Sequence, residues 1–481
     1  MLQKNKERFG LFLVLLFSFF AVIWTLSPAN SLVFDDFTLL SEARFTSYTD
    51  LFRLLPSETY NDRSIRMVFL KMLNAMFGLS YIPYHIVFVI MHLSNVLLIF
   101  LIAKRILENF GYEKNKTFTA LMAGAIFGIY PTSLMAVSSI SSTCDLQCCN
   151  FMLLCFWFYL KAHDNKAYRV CYGVLCVSSF LLALRSKEMV LPLPCVFVIY
   201  EIALCIKNKK HVRITAITWS NIALMLVYAS LLFGKKDGAL IDADNPYYQS
   251  FSPITMLKNL VKYLFLYFDT SNANYTFSTF SKSAFLGVAF FCFVFAFSIW
   301  FGFRKKHWGV FLSILCAGGM FVTVLPMVNM QHRLYLYLPS VFLGFAFALA
   351  ASELIELFKL RYKAEILIAA VLCLSFIGTL PGSMQFKYNW LNTCKQDQYG
   401  QQQLLKISKL DKNCKVYVKG TTESYNIFYY GQENVLRLIQ DEPTLQVELV
   451  NDFPIEPQPP YCLIEYNQGE ITEIKTERVP I

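Results

Sequence analysis

The 481-residue chain is 56% hydrophobic and only 16% charged, and it carries 45 Phe and 27 Tyr, a composition that excludes an ordinary soluble domain. Its net charge of +10 falls in short basic clusters between apolar runs. That reads as a membrane-topology signal and argues against a nucleic-acid partner.

The first apolar run extends from about Phe9 to Ala29, directly after Lys4, Lys6 and Arg8. It is long and lacks a small-residue cleavage site, so it is expected to remain as a membrane span rather than leave as a signal peptide. Asp35 and Asp36 follow at its far mouth. Carboxylates beside a bilayer are costly unless they serve a purpose, although a helix cap or a solvated loop is the plainer explanation. Next comes Ser64 to Phe77, where Ile65, Phe69, Met72 and Met76 recur at helical spacing beside Arg66 and Lys71. This predicts an amphipathic helix lying on the membrane surface.

Further apolar runs long enough to cross a hydrocarbon core begin near Ile82, Phe118, Leu146, Val170, Met189, Ile214, Ala284, Trp308, Leu334 and Ala364, for about eleven spans in all. The basic clusters Lys104 to Lys116, Lys161 to Arg169, Lys207 to Arg213, Arg304 to Lys306 and Lys359 to Lys363 then all fall on the side of the N-terminus. By the positive-inside rule that side is cytoplasmic. The loops 30–81 and 234–283 and the tail 385–481 are therefore expected outside. The second loop contains another amphipathic stretch, Lys258 to Phe268, after Asp242 and Asp244.

The tail is polar and has β-rich runs at Lys415 to Val418, Val435 to Leu438, Leu445 to Val450 and Tyr461 to Tyr466, with a turn at Asn467 to Gly469. The expected organisation is an all-α polytopic membrane domain over residues 1–384 and a small soluble α/β domain over residues 385–481.

Eleven of the fourteen cysteines lie in or beside apolar runs, where Cys acts as a small apolar residue. Cys394 and Cys414 in the tail leave a disulfide open. Cys144, Cys148 and Cys149 suit a helix wall better than a metal site, and there is no phosphate-cradling Gly-rich loop or nucleophile elbow.

Several short elements, in order, resemble the GT-C membrane glycosyltransferases. The similarity is to the branch that holds the protein O-mannosyltransferases and the transmembrane and tetratricopeptide O-mannosyltransferases. It runs from about Leu11 to Ala350. The elements are the acids Asp35-Asp36, Arg63-Ser64-Ile65, Phe77-Gly78, Tyr84-His85 with His92, Tyr130-Pro131, Ala136-Val137, Asp145-Leu146, Ser186-Lys187-Glu188 with Pro192, and Tyr-Leu-Tyr-Leu-Pro-Ser from Tyr335 to Ser340. The chain departs from the pattern at Thr132, Ser133 and Met135, where relatives carry a His and a Glu, and at Arg333, which lies one residue early. No tetratricopeptide array follows, which points to a compact, bacterial type.

The resemblance implies transfer of a sugar from a polyprenyl-phosphate donor to a glycan, lipid or protein acceptor on the outer face of a plasma membrane. Asp35 or Asp36 would take the acceptor proton. Neighbouring helical residues do not share a face, so one of them is expected to face the site, Asp35 by a narrow margin. The other would cap a helix, hold a divalent cation or raise its neighbour's pKa. The leaving phosphate calls for fixed cations: Arg63, Arg66, Arg185, Lys187, Arg333 and His332 are the candidates, with interfacial snorkelling as the alternative for each. Glu188, Asp145, Tyr335 and His332 are expected at the substrate. His85 and His92, two turns apart, read as helix packing. A lipid-linked sugar flippase or another multi-span transporter is the rival reading. It lacks the paired repeats and midplane charges such proteins usually show.

Overall fold

The computed structural model describes residues 2–33, 35–52, 63–112, 116–130, 132–233, 252–268, 284–289, 291–293, 318–329, 333–357, 384–395, 397–410, 412–420, 431–467 and 470–477, together with residues 282, 296, 316 and 428. The helices are α1 (Leu2–Val22), α2 (Asp36–Phe45), α3 (Tyr48–Leu51), α4 (Ser64–Phe77), α5 (Tyr81–Asn109), α6 (Lys116–Ile129), α7 (Thr132–Ser138), α8 (Thr143–Asp164), α9 (Arg169–Ser186), α10 (Leu193–Lys207), α11 (Ala216–Phe233), α12 (Pro253–Phe268), α13 (Tyr337–Leu357) and α14 (Asn434–Gln440). Strands β1 (Lys415–Lys419), β2 (Gln446–Val450), β3 (Tyr461–Asn467) and β4 (Glu470–Glu477) follow in the C-terminal region.

Five stretches among the described residues are long and apolar enough to cross a membrane: Asn5–Leu26, Tyr81–Asn109, Ile140–Asp164, Arg169–Ser186 and Glu188–Lys207. This is an integral membrane protein. On α1, Phe9, Phe12, Phe17 and Phe20 are uncovered by protein, as lipid-facing side chains are. The span expected from Phe118 is shorter than the pattern suggested. Helix α6 has 14 residues, or about 21 Å at 1.5 Å per residue. It stops at Ile129 and α7 starts at Thr132, on either side of Pro131, a residue with no N–H to give a continuing helix. Most of the runs expected from Trp308 and Ala364 lies outside the described residues.

Packing inside the bundle relies on close approach and on paired polar groups. A Cβ at Gly128 would overlap Ser18 Oγ, so glycine lets α6 press against α1. Along one face of α5, Tyr81 donates to Ser138 O at 3.0 Å and His85 Nδ1 meets Val137 O at 2.7 Å. Further along, His92 meets Tyr337 Oη at 2.9 Å and Gly128 O at 3.1 Å. With no water in the hydrocarbon core, buried polar groups need such partners. Both histidines join helices.

Helix α4 follows the amphipathic pattern. Met67, Leu70, Leu73 and Arg66 are buried against protein, while Met72 and Met76 are exposed. Lys71 folds back and donates to the carbonyls of Ala43, Arg44 and Thr46 at 2.6 to 3.2 Å, tying α4 to the end of α2. Helix α12 likewise exposes Ile254 and Leu257 and buries Asn259, Tyr263 and Tyr267.

The C-terminal strands form one four-stranded sheet in the order β2-β1-β3-β4. Strand β1 is parallel to both β2 and β3, and β3 is antiparallel to β4. One expectation fails here: Val435 to Leu438 is not a strand but most of α14. A four-residue apolar run has no decisive period, whereas parallel β1 and β2 require a crossover between them, and α14 lies on it. Its buried Val435, Leu436 and Leu438 cover the core, and Asp441 ends the helix in the left-handed region at φ 56°. The disulfide left open by the sequence does not form: Cys394 and Cys414 are both buried and are not joined.

Candidate active site

Asp35 and Asp36 stand at the start of α2, at the end of the bundle that meets the C-terminal region. They have opposite environments: Asp35 is exposed and Asp36 is 0% exposed. Asp36 Oδ2 accepts from Val33 N at 3.1 Å, and its Oδ1 accepts from Ser141 N at 3.1 Å and Ser139 Oγ at 3.3 Å. These donors favour the carboxylate, yet burial outweighs them and pushes Asp36 up to about 7, with the neighbouring Asp35 adding to the rise. Asp35 is raised by partial burial and lowered by Arg66. Asp36 thus pins α2 to the turn before α8, and Asp35 is the carboxyl left facing outward.

Beside them lies a buried charge cluster drawn from three elements. Arg63, ahead of α4, meets Glu188 in a two-pronged contact, Nη2 to Oε1 at 2.7 Å and Nε to Oε2 at 3.3 Å. Lys187 Nζ lies 2.6 Å from Asp145 Oδ1 and 4.5 Å from the centroid of the Tyr335 ring. Arg185 Nε donates to Ser64 Oγ at 3.1 Å. Arg66 is 8% exposed, and its Nε has no hydrogen-bond partner among the described residues. Cys144 sits between these groups, 3.7 Å from Arg63 Nη1.

The local sequence explains why the charges converge. Helix α9 ends at Ser186 and a short 3₁₀ turn, Glu188–Val190, leads to Pro192 and α10, so Arg185, Lys187 and Glu188 enter the bundle on a tight reversal rather than a loop. Asp145 is in the first turn of α8. Snorkelling does not describe Arg63, Arg66, Arg185 or Lys187, whose exposures are 9%, 8%, 0% and 1%. The ion pairs reach outside the triplet: Glu188 holds Arg63, and Lys187 is held by Asp145. Among the described residues, the four buried cations gather around the buried carboxylates Asp145 and Glu188. A cluster of guanidinium and ammonium groups of this kind suits an anion.

Tyr335, 8% exposed, packs on Lys187 as part of this wall. The backbone of Arg333 lies in the 3₁₀ segment Arg333–Leu336, and His332 lies outside the described residues. Among the described residues, no group of three or more His, Cys, Asp or Glu converges to hold a metal ion. Cys148 donates to Lys187 O at 3.4 Å as part of a helix wall.

Sequence reasoning missed Ser139, Ser141 and Asp397, and gave Ser64 and Cys144 no role at the site. Ser139 and Ser141 are small polar residues with no motif of their own. Asp397 is 2% exposed and pushed up to about 8 by burial and by Asp36, from 361 positions earlier in the chain. Only the fold brings those two acids together.

No protein-family model and no curated protein matches the chain. Solved structures do. ArnT from Cupriavidus metallidurans bound to undecaprenyl phosphate is 15% identical with a TM-score of 0.51, covering 92% of this chain and 86% of that one. The apo state of the same protein gives 14% identity and a TM-score of 0.52, over 93% and 86% of the two chains. The Archaeoglobus fulgidus oligosaccharyltransferase tethered with an acceptor peptide gives 12% and 0.51, over 92% of this chain and 64% of that one. The fold is that of the GT-C membrane glycosyltransferases. Within this GT-C fold the acids at the head of α2 and the cluster around Lys187 share one end of the bundle.

Proposed function

We propose that the protein is a membrane glycosyltransferase that moves a sugar from a polyprenyl-phosphate donor to an acceptor on the extracytoplasmic face of a plasma membrane, with its N-terminus inside and the region 385–481 outside. The observation that carries this reading is the convergence of four buried cationic side chains, Arg63, Arg66, Arg185 and Lys187, beside an exposed carboxyl, Asp35. A lipid-bound phosphate is an anion presented at this depth. Guanidinium groups suit it through their planar donor fork, and an ammonium serves as a point charge. As the bond between the anomeric carbon and the phosphate oxygen breaks, charge gathers on the departing phosphate, and fixed cations in a water-poor site oppose it strongly.

In this reading Asp35 accepts the proton of the attacking acceptor hydroxyl. It has the accessibility that Asp36 lacks; partial burial raises its pKa, toward that of a useful base, and Arg66 opposes part of the rise. Asp36 places Asp35 by fixing the head of α2. Glu188 and Asp145 orient Arg63 and Lys187, and Tyr335 packs on Lys187. His332 and Arg333 are assigned to the donor side on sequence resemblance alone.

The test is binding of undecaprenyl phosphate to the detergent-purified full-length protein. Arg185→Ala is expected to weaken binding at least tenfold and Arg185→Lys to recover part of it, since the charge returns without the fork. Equal affinity in wild type and Arg185→Ala would remove the phosphate assignment. Translocation of an intact lipid-linked sugar, without transfer, would establish the flippase reading instead.

A further inference from the structure

The segment that carries the two acids is held by residues more than 350 positions away. Between the end of α1 and the start of α2 the chain runs without a strand partner, and its buried polar groups need partners elsewhere. Some are met locally, as Asn30 Nδ2 is by Trp24 O and Thr25 O, and the C-terminal region supplies others. Ser31 Oγ donates to Cys394 O at 2.8 Å, Gln398 Nε2 donates to Pro28 O at 3.2 Å and Gln401 Nε2 donates to Leu32 O at 2.7 Å. Beyond the acids, α2 is gripped from the same side: Ser41 Oγ donates to Asn434 Oδ1 at 3.1 Å, and Arg44 Nε lies 2.8 Å from Asp441 Oδ1. Contacts from residues 394–441 thus stand on both flanks of Asp35 and Asp36.

Gln401 is the most consequential of these. Its partner Leu32 is 1% exposed, so water is poorly placed to replace the lost donor, and an unpaired buried carbonyl is costly. Leu32 also directly precedes Val33, whose N–H donates to the Asp36 carboxylate. One side-chain amide therefore sets the path of the chain into the acid pair. The Arg44 contact, by comparison, is exposed and contributes little.

We propose that the C-terminal region is a positioning element for the acid-bearing segment, with Gln401 as the positioning residue that fixes Leu32 and, through Val33, the placement of Asp36 and Asp35. Its catalytic consequence rests on the role proposed above for Asp35, whereas the positioning itself does not depend on any activity.

Hydrogen–deuterium exchange on the purified full-length protein tests it with two variants. Gln401→Met keeps length but cannot donate, and exchange of amides in residues 28–36 is expected to rise about tenfold while α8 and α9 stay at wild-type protection. Gln401→Lys restores a donor and is expected to restore protection. Undecaprenyl phosphate, the binding probe, should keep its affinity within twofold in both variants, because its proposed site contains no residue of 394–401. Unchanged exchange in Gln401→Met, an equal rise throughout the bundle, or a Gln401→Lys variant as unprotected as Gln401→Met would each overturn the proposal. Failure of the wild type to bind undecaprenyl phosphate would instead defeat the transferase reading and leave the exchange result to decide the positioning role.

Discussion

Removing Lys187 alone is the most informative perturbation of the buried cluster. Its ammonium is 1% exposed and lies 2.6 Å from Asp145, whose side chain is 0% exposed. In Lys187→Met the apolar stem is kept but Asp145 loses its counter-ion in a place water does not reach. Breaking a buried pair from one side costs about 3–5 kcal/mol, because the surviving charge is left uncompensated. The double variant Lys187→Met, Asp145→Asn removes both charges and should recover most of that loss, since paired desolvation and attraction nearly cancel. Equilibrium unfolding in mixed micelles across the four-member cycle measures the coupling, with undecaprenyl phosphate binding followed in parallel. The double variant is expected to be near wild type in stability yet at least tenfold weaker for the phosphate lipid. A single variant as stable as wild type would refute the burial argument, and a double variant that binds normally would show that Lys187 serves only to hold Asp145.

Asp35→Asn should lower turnover by about 10²- to 10⁴-fold, the usual cost of losing a general base, while leaving the apparent melting temperature unchanged; wild-type turnover would place the base elsewhere. Asp397 provides a pH test. Its carboxyl ordinarily titrates near 3.8 and is pushed up to about 8 in the fold, so the folded state holds a proton that the unfolded chain releases at lower pH. Its contribution to stability is fully present below pH 4 and is lost as pH rises toward 8. Asp397→Asn should therefore melt close to wild type at pH 4 and progressively higher than wild type as pH approaches 8, and a gap that is constant with pH would contradict the burial of an acid there. For topology, a cysteine placed by Ile455→Cys, at a position 99% exposed, should react with a membrane-impermeant maleimide in intact cells. Reaction only after permeabilisation would invert the proposed orientation.

The sequence by itself determined the class of the molecule and much of its framework. Apolar runs report directly on the thickness of a bilayer, which is why Tyr81–Asn109, Ile140–Asp164, Arg169–Ser186 and Glu188–Lys207 could be anticipated. Amphipathic spacing similarly located α4, and three of the four expected β-runs became strands β1, β2 and β3. The fourth failed at Val435 because four apolar residues carry no period, and only the parallel pairing of β1 with β2 required a helix there.

The candidate site was half legible. Asp35, Asp36, Arg63, Arg185, Lys187 and Glu188 stood out because charge next to membrane is rare and costly. Their partners did not, because pairing depends on which helices pack together: Glu188 belongs to Arg63, 125 residues away, and Lys187 to Asp145, 42 residues away. Tertiary structure also separated two acids that are adjacent in the chain, burying Asp36 under three donors and leaving Asp35 open. It alone brought Asp397 and Gln401 to the loop before them. A side-chain amide on a backbone carbonyl leaves no trace in composition or periodicity, so that contact becomes visible only once the chain is folded.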